Sequence, residues 1–183
     1  MTDLKIIDKT WTLFLDRDGV INNEKHMDYI HTWDQFKFYP GVKEAIKTFS
    51  QKFGNIFIVT NQRGVAKGLT KVEDLETIHK NLLNEIEQAG GRITKIYFCC
   101  DLDDTSKNRK PNPGMGLQAK EDFPEVDFTK SVMIGNTISD MGFGRNIGAA
   151  INIFIRSTHP LLGIQHPDVD LIFPDLLSVS KAL

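Results

Sequence analysis

The run TLFLDRDGVIN, Thr12 to Asn22, decides how this chain is read. A β-branched and apolar stretch leads directly into two aspartates, Asp16 and Asp18, with Gly19 behind them. Two neighbouring carboxylates repel each other unless a cation or a shared proton relieves them. The pair therefore implies a partner. A strand ending in polar groups is also what a parallel sheet presents at the edge where ligands bind.

Further along, similar apolar runs alternate with helical patterns, the rhythm of βαβ units. The predicted strands are Thr12 to Leu15, Asn55 to Thr60, Lys95 to Cys99, Ser131 to Ile134 and Ala150 to Ile155. Their near-continuous apolar character suits strands covered on both faces. PGVKEAIKTFSQKFG reads as a helix between Pro40 and Gly54. Thr70–Lys71–Val72–Glu73 has the spacing of a capping box opening a helix to about Ala89. Shorter helices are expected after Gly114 and Ser139, and another in PDLLSVSKAL. The expected fold is α/β: a three-layer, Rossmann-like parallel sheet with helices on both faces, one domain over 1–183, and no large cap domain.

Composition narrows the function. With 22 basic against 24 acidic residues the net charge is −2, which argues against the broad basic face of a nucleic-acid binder. No apolar run reaches the roughly 20 residues that span a bilayer, and the start lacks a signal-peptide pattern. Two adjacent cysteines, Cys99 and Cys100, cannot make a disulfide framework. The expectation is a cytoplasmic protein, monomeric or a small homo-oligomer, with neither nucleic acid nor membrane as partner.

The chemistry lies in what leaves each strand. The first delivers Asp16 and Asp18, the second Thr60 and Asn61, the third leads to Arg109 and Lys110, and the fourth to Asn136 and Asp140. Such oxygen ligands beside a lysine suit Mg²⁺ and an anion together. Asp16 is expected to attack phosphorus, Asp18 to act as general acid and base, and Thr60 and Lys110 to hold the phosphoryl oxygens. Gly19 would let the backbone turn closely around the phosphate. Asp16, Asp18, Asn136 and Asp140 form the expected metal set. Arg63 and Lys67 bracket the turn after the second strand and are expected to reach a second anionic group of the substrate.

FLDRDGVIN, IVTNQRGVAKG, RKPNPGM and MIGNTISDM resemble, in order, the four motifs of the haloacid dehalogenase superfamily. More narrowly they are similar to its small capless branch, which holds heptose-bisphosphate and histidinol-phosphate phosphatases. The resemblance runs from about Leu13 to Gly148, implies the same roles for Asp16, Asp18, Thr60 and Lys110, and makes Asn61, Gln62 and Arg109 substrate contacts; the expected substrate is a small phosphorylated metabolite, a sugar phosphate such as a heptose bisphosphate. Two departures stand out. Where many relatives carry a zinc loop, this chain has Cys99, Asp101, Ser106 and Asn108, too few sulfur or nitrogen ligands for structural zinc, so no zinc is expected. Where relatives usually place a metal-binding aspartate, it has Asn136.

Plainer readings compete. Asp16 to Gly19 lacks the glycine and glutamate spacing of a calcium loop. Asn136 and Asp140 also suit a turn and a helix start. Arg63 and Lys67 could belong to a solvated turn, and His79 reads as helix surface, whereas His26 and His31 sit in the long loop from Asn22 to Phe36, a partial flap. The rival functions are a histidinol-phosphate phosphatase, a nucleic-acid 3′-end phosphatase and a phosphate-binding pseudoenzyme.

Overall fold

A computed structural model describes residues 3–25, 28–158 and 166–183. Six strands form one sheet: β1 (Thr12–Leu15), β2 (Asn55–Asn61), β3 (Lys95–Cys99), β4 (Ser131–Gly135), β5 (Ile151–Ile155) and β6 (Leu171–Phe173). They are all parallel, in the order β3-β2-β1-β4-β5-β6. The helices are α1 (Val42–Lys52), α2 (Arg63–Ala66), α3 (Val72–Gln88), α4 (Gly114–Asp122), α5 (Ile138–Ile147) and α6 (Leu176–Ser180).

Side chains of a strand alternate between faces, and the core divides accordingly. Leu13, Leu15, Ile56, Ile58, Val132, Ile134, Ile151 and Ile153 enter one apolar layer, which α1, α3 and α6 complete with Ile46, Phe49, Ile78, Leu82 and Val179. Phe14, Phe57, Val59, Met133 and Phe154 enter the other, closed by Met115 and Ala119 of α4 and Met141, Phe143 and Ile147 of α5. This is the expected three-layer, Rossmann-like arrangement. Among the described residues no helix is long and apolar enough to cross a membrane.

Strand order places the site. From β1 the chain builds outward through β2 and β3, then returns to lay β4 on the other side of β1. Leu15 stands level with Ile58 of β2 and Ile134 of β4, so the residues beyond these strands open onto one crevice at the switch point.

Two local expectations fail. The sixth strand is absent from the sequence prediction because three half-buried residues are too few to show a period. The capping box at Thr70 does not form: Lys71 caps α3 without a side-chain bond, and Thr70 Oγ1 instead meets His31 Nδ1 at 2.8 Å. A genuine capping box opens α5, between Thr137 and Asp140.

Candidate active site

Lys110 is the centre of a buried chain of charges. Its Nζ donates to Asp16 Oδ1 at 2.7 Å and to Asp140 Oδ1 at 2.6 Å, and only 3% of the residue is exposed. The loop that carries it is pinned by Asn61, whose amide nitrogen donates to the Lys110 carbonyl and whose amide oxygen accepts from the Lys110 N–H, both at 3.1 Å. Burial, reinforced by the Asp140 charge, pushes Asp16 up to about 7 against the pull of Lys110. For Lys110 burial works toward neutrality, yet Asp140 and Asp16 outweigh it and raise its pKa. The lysine stays charged.

Asp140 spends its second oxygen on the start of α5. Oδ2 accepts from Thr137 Oγ1 at 2.7 Å, Thr137 N at 3.0 Å and Asn136 N at 3.2 Å. Both of its carboxylate oxygens are thus engaged. The expected direct metal role of Asp140 conflicts with this arrangement, in which it anchors Lys110 to a helix N-terminus.

Asp18 is held separately. Arg17 Nη2 donates to both of its oxygens at 2.9 Å, Asn22 Nδ2 donates at 2.9 Å and Gln62 Nε2 at 2.8 Å. Burial alone would raise the Asp18 pKa, but the Arg17 charge and these donors bring it below its ordinary value. Gln62 Nε2 also reaches Thr60 Oγ1 at 2.9 Å. Gln62 therefore orients Asp18 and Thr60 and does not line the cavity, a correction to its expected substrate contact.

Arg17 itself is wholly buried and its Nη1 meets His79 Nε2 at 3.1 Å. His79 is 8% exposed, not helix surface, because it packs over this guanidinium and beside Phe98. Burial and the Arg17 charge push it down to about 3, so the neutral ring accepts the arginine proton.

A cavity of about 300 Å³ opens over these groups, lined by Asp16, Asp18, Thr60, Asn61, Arg109, Lys110 and Asp140, with Glu24, Lys25, Asp28, Tyr29 and Ile30 contributed by the expected flap. Trp33 stacks on Phe36 with ring centroids 4.9 Å apart, and Phe38 meets Phe36 edge-on at 5.0 Å, fixing the far end of that loop. Arg63 and Lys67 do not line the cavity. Arg63 donates to Leu102 O at 3.0 Å and pairs with Asp104, while Lys67 donates to Tyr29 Oη at 2.9 Å. Arg109 reaches the cavity and also bonds Asp104, at 2.8 Å. His31 is taken up by Thr70 and by Asp28 at 3.0 Å, and His26 lies outside the described residues.

Gly19 has φ +82°, and a Cβ there would come within 2.1 Å of Asn136 Nδ2. Its lack of a side chain makes room for Asn136 and Glu24, and Gly19 is not among the residues lining the cavity. Asn136 is fully buried; its Nδ2 donates to Thr158 Oγ1 at 2.7 Å and Glu24 Oε2 at 3.1 Å. Its Oδ1 is buried with no partner among the described residues. Such an orphan oxygen suits a hard cation, as does Asp16 Oδ2, which also accepts no hydrogen bond among the described residues. No three His, Cys, Asp or Glu side chains form a metal-holding group among the described residues. Mg²⁺ fits that sparseness, since it keeps several waters of its own.

Residues 11–157 match the family model described as polynucleotide kinase 3 phosphatase. A D-glycero-α-D-manno-heptose-1,7-bisphosphate 7-phosphatase from Campylobacter jejuni is 40% identical over 148 residues, 81% of this chain and 84% of that protein. The corresponding β-anomer 7-phosphatase of Rhodopseudomonas palustris is 37% identical over 160 residues, 78% of this chain and 87% of that protein. Among solved structures, the D,D-heptose 1,7-bisphosphate phosphatase of B. bronchiseptica, complexed with magnesium and phosphate, superposes with a TM-score of 0.83. It is 25% identical, covering 93% of this chain and 96% of that one.

Proposed function

The chain belongs to the haloacid dehalogenase superfamily of phosphohydrolases, and from that membership we propose that it removes the 7-phosphate of a heptose 1,7-bisphosphate through an aspartyl phosphate on Asp16. One observation carries the choice of nucleophile. Asp16 faces the cavity with Oδ2 unbonded among the described residues while Lys110 fixes Oδ1, so a single oxygen is left for the attack.

In the first half-reaction Asp16 Oδ2 forms a bond to phosphorus as the bond to the sugar oxygen breaks, and Asp18 gives that oxygen a proton. In the second, water attacks the acyl phosphate, Asp18 takes a proton from it, and Asp16 is released with inorganic phosphate. Thr60 Oγ1 and Lys110 Nζ border the same space and supply donors as charge grows on the phosphoryl oxygens. Asp16, the Asn136 amide oxygen and the main chain at Asp18 would hold Mg²⁺, which when bound offsets the charge of the phosphate dianion. Asp18 must exchange its salt bridge with Arg17 for a proton during the cycle, so Arg17 and Gln62 set its acidity.

A sugar phosphate is favoured over a nucleic-acid end by the balanced chain charge and by a cavity wall whose acidic groups outnumber its basic ones. No zinc is needed in this reading. Asp101 and Ser106, two of the positions expected to have lost zinc ligands, hydrogen-bond to each other, and Asp104 ties the loop to Arg63 and Arg109.

The test is turnover with Mg²⁺ on both anomers of heptose 1,7-bisphosphate, on histidinol phosphate and on a DNA 3′-phosphate. A heptose bisphosphate should give the highest kcat/KM, and Asp16→Asn should abolish it. Equal or better turnover of the DNA end would transfer the assignment to that substrate.

A further inference from the structure

The carboxylates around the cavity are not equally available to a cation. Asp18 is neutralised by Arg17, and Asp140 by Lys110 and the α5 cap. Asp16 shares Lys110. Asn136 contributes a neutral oxygen. A divalent ion seated against these groups would meet little uncompensated negative charge.

Glu24 is the exception. It lies at the mouth of the cavity, forms no ion pair among the described residues, and sends its carboxylate inward to Asn136 Nδ2 at 3.1 Å. Gly19 keeps this approach open, since a Cβ at that position would fall 2.9 Å from Glu24 Oε2 as well as into Asn136. The pairing joins residues 112 apart in sequence. It also orders the Asn136 amide: with Nδ2 committed to Glu24 and Thr158, Oδ1 is left as the buried atom without a partner among the described residues.

We propose that Glu24 is part of the magnesium site, providing the negative charge that Asn136 lacks while turning the amide oxygen of Asn136 toward the ion. The inference rests on the reading of Asp16 and Asn136 as metal-holding residues. Glu24 needs no direct bond to the ion for this role, because a carboxylate accepting from metal-bound water strengthens binding almost as effectively.

The discriminating variant is Glu24→Gln, which can still accept from Asn136 Nδ2 but carries no charge. Mg²⁺ binding to the substrate-free full chain, followed by calorimetry, should weaken about tenfold or more, the loss typical of groups that support metal ligands. Adding Asn136→Asp to that variant should recover the affinity, since the charge is returned at the neighbouring position. In the otherwise unchanged protein, Asn136→Asp places two carboxylates in contact and should lower the melting temperature without Mg²⁺ while enlarging its rise on Mg²⁺ addition. Unchanged Mg²⁺ affinity in Glu24→Gln overturns the proposal and leaves the Asp16 chemistry intact. Hydrolysis at the normal rate by Asp16→Asn would overturn that chemistry instead.

Discussion

Lys110 stands between Asp16 and Asp140 with all three side chains largely withdrawn from solvent. Removing it would leave two buried carboxylates facing each other. Lys110→Met should therefore abolish turnover and lower stability by ~3–5 kcal/mol at pH 8, with a smaller loss near pH 5, where Asp16 takes up a proton. Denaturant titrations at the two pH values measure this. His79 offers a second prediction. Held near a pKa of about 3, it stays neutral in the fold, whereas below its ordinary 6.5 the unfolded chain binds the proton. Its contribution to stability thus falls as pH drops through that window, with a slope approaching about 1.4 kcal/mol per pH unit. Asp16 acts oppositely: its raised pKa costs stability as pH climbs from 3.8 to about 7. The wild-type profile mixes both, so His79→Gln, which cannot titrate but can still accept from Arg17, isolates the histidine. Stability differences that do not vary between pH 4 and pH 6.5 would refute this assignment. Arg17 and His79 show where sequence reasoning stops. Nothing in the sequence marks the arginine between two aspartates for burial, and only the packing of α3 over the strand ends reveals it as wholly buried.

At the scale of elements, α5 does more than cover the sheet. Its capping box uses the same Asp140 that steadies Lys110, so helix stability and site geometry share one carboxylate. Thr137→Ala should cost about 1 kcal/mol, read from the urea midpoint, and should also lower kcat because Lys110 loses a rigid anchor. The loop before Lys110 depends on Asp104, which joins Arg63 to Arg109. Asp104→Asn should make residues 100–113 cleave faster under limited trypsin digestion, with the sheet core left intact. The interior strand β1 was legible to the residue because burial on both faces makes it almost uniformly apolar. The caps were not. Thr70 has the right spacing for one, yet it is drawn away by His31 from the flap, and no local pattern records a partner 39 residues distant.

For the whole molecule, the ordered motifs were enough to bring Asp16, Thr60, Lys110 and Asp140 to one edge of the sheet, since parallel βαβ topology leaves strand ends nowhere else to open. What the motifs did not disclose was charge balance, which depends on which neighbours neutralise which carboxylates. Among the described residues five acidic side chains line the cavity, Asp16, Asp18, Glu24, Asp28 and Asp140, against the three basic ones Lys25, Arg109 and Lys110. The difference leaves a formal wall charge of −2, the same sign as the group to be admitted. Reactant and product are both anions, and each is repelled unless a cation has entered first. Occupancy should consequently be ordered, with the metal ahead of the ester, and inorganic phosphate should compete with substrate only when Mg²⁺ is present. Inhibition by phosphate that persists undiminished in a chelator, monitored as displacement of a bound fluorescent analogue, would contradict that order. The acidic wall thereby acts as a release device: once the ion loosens, the newly freed phosphate is expelled by the surface that helped create it.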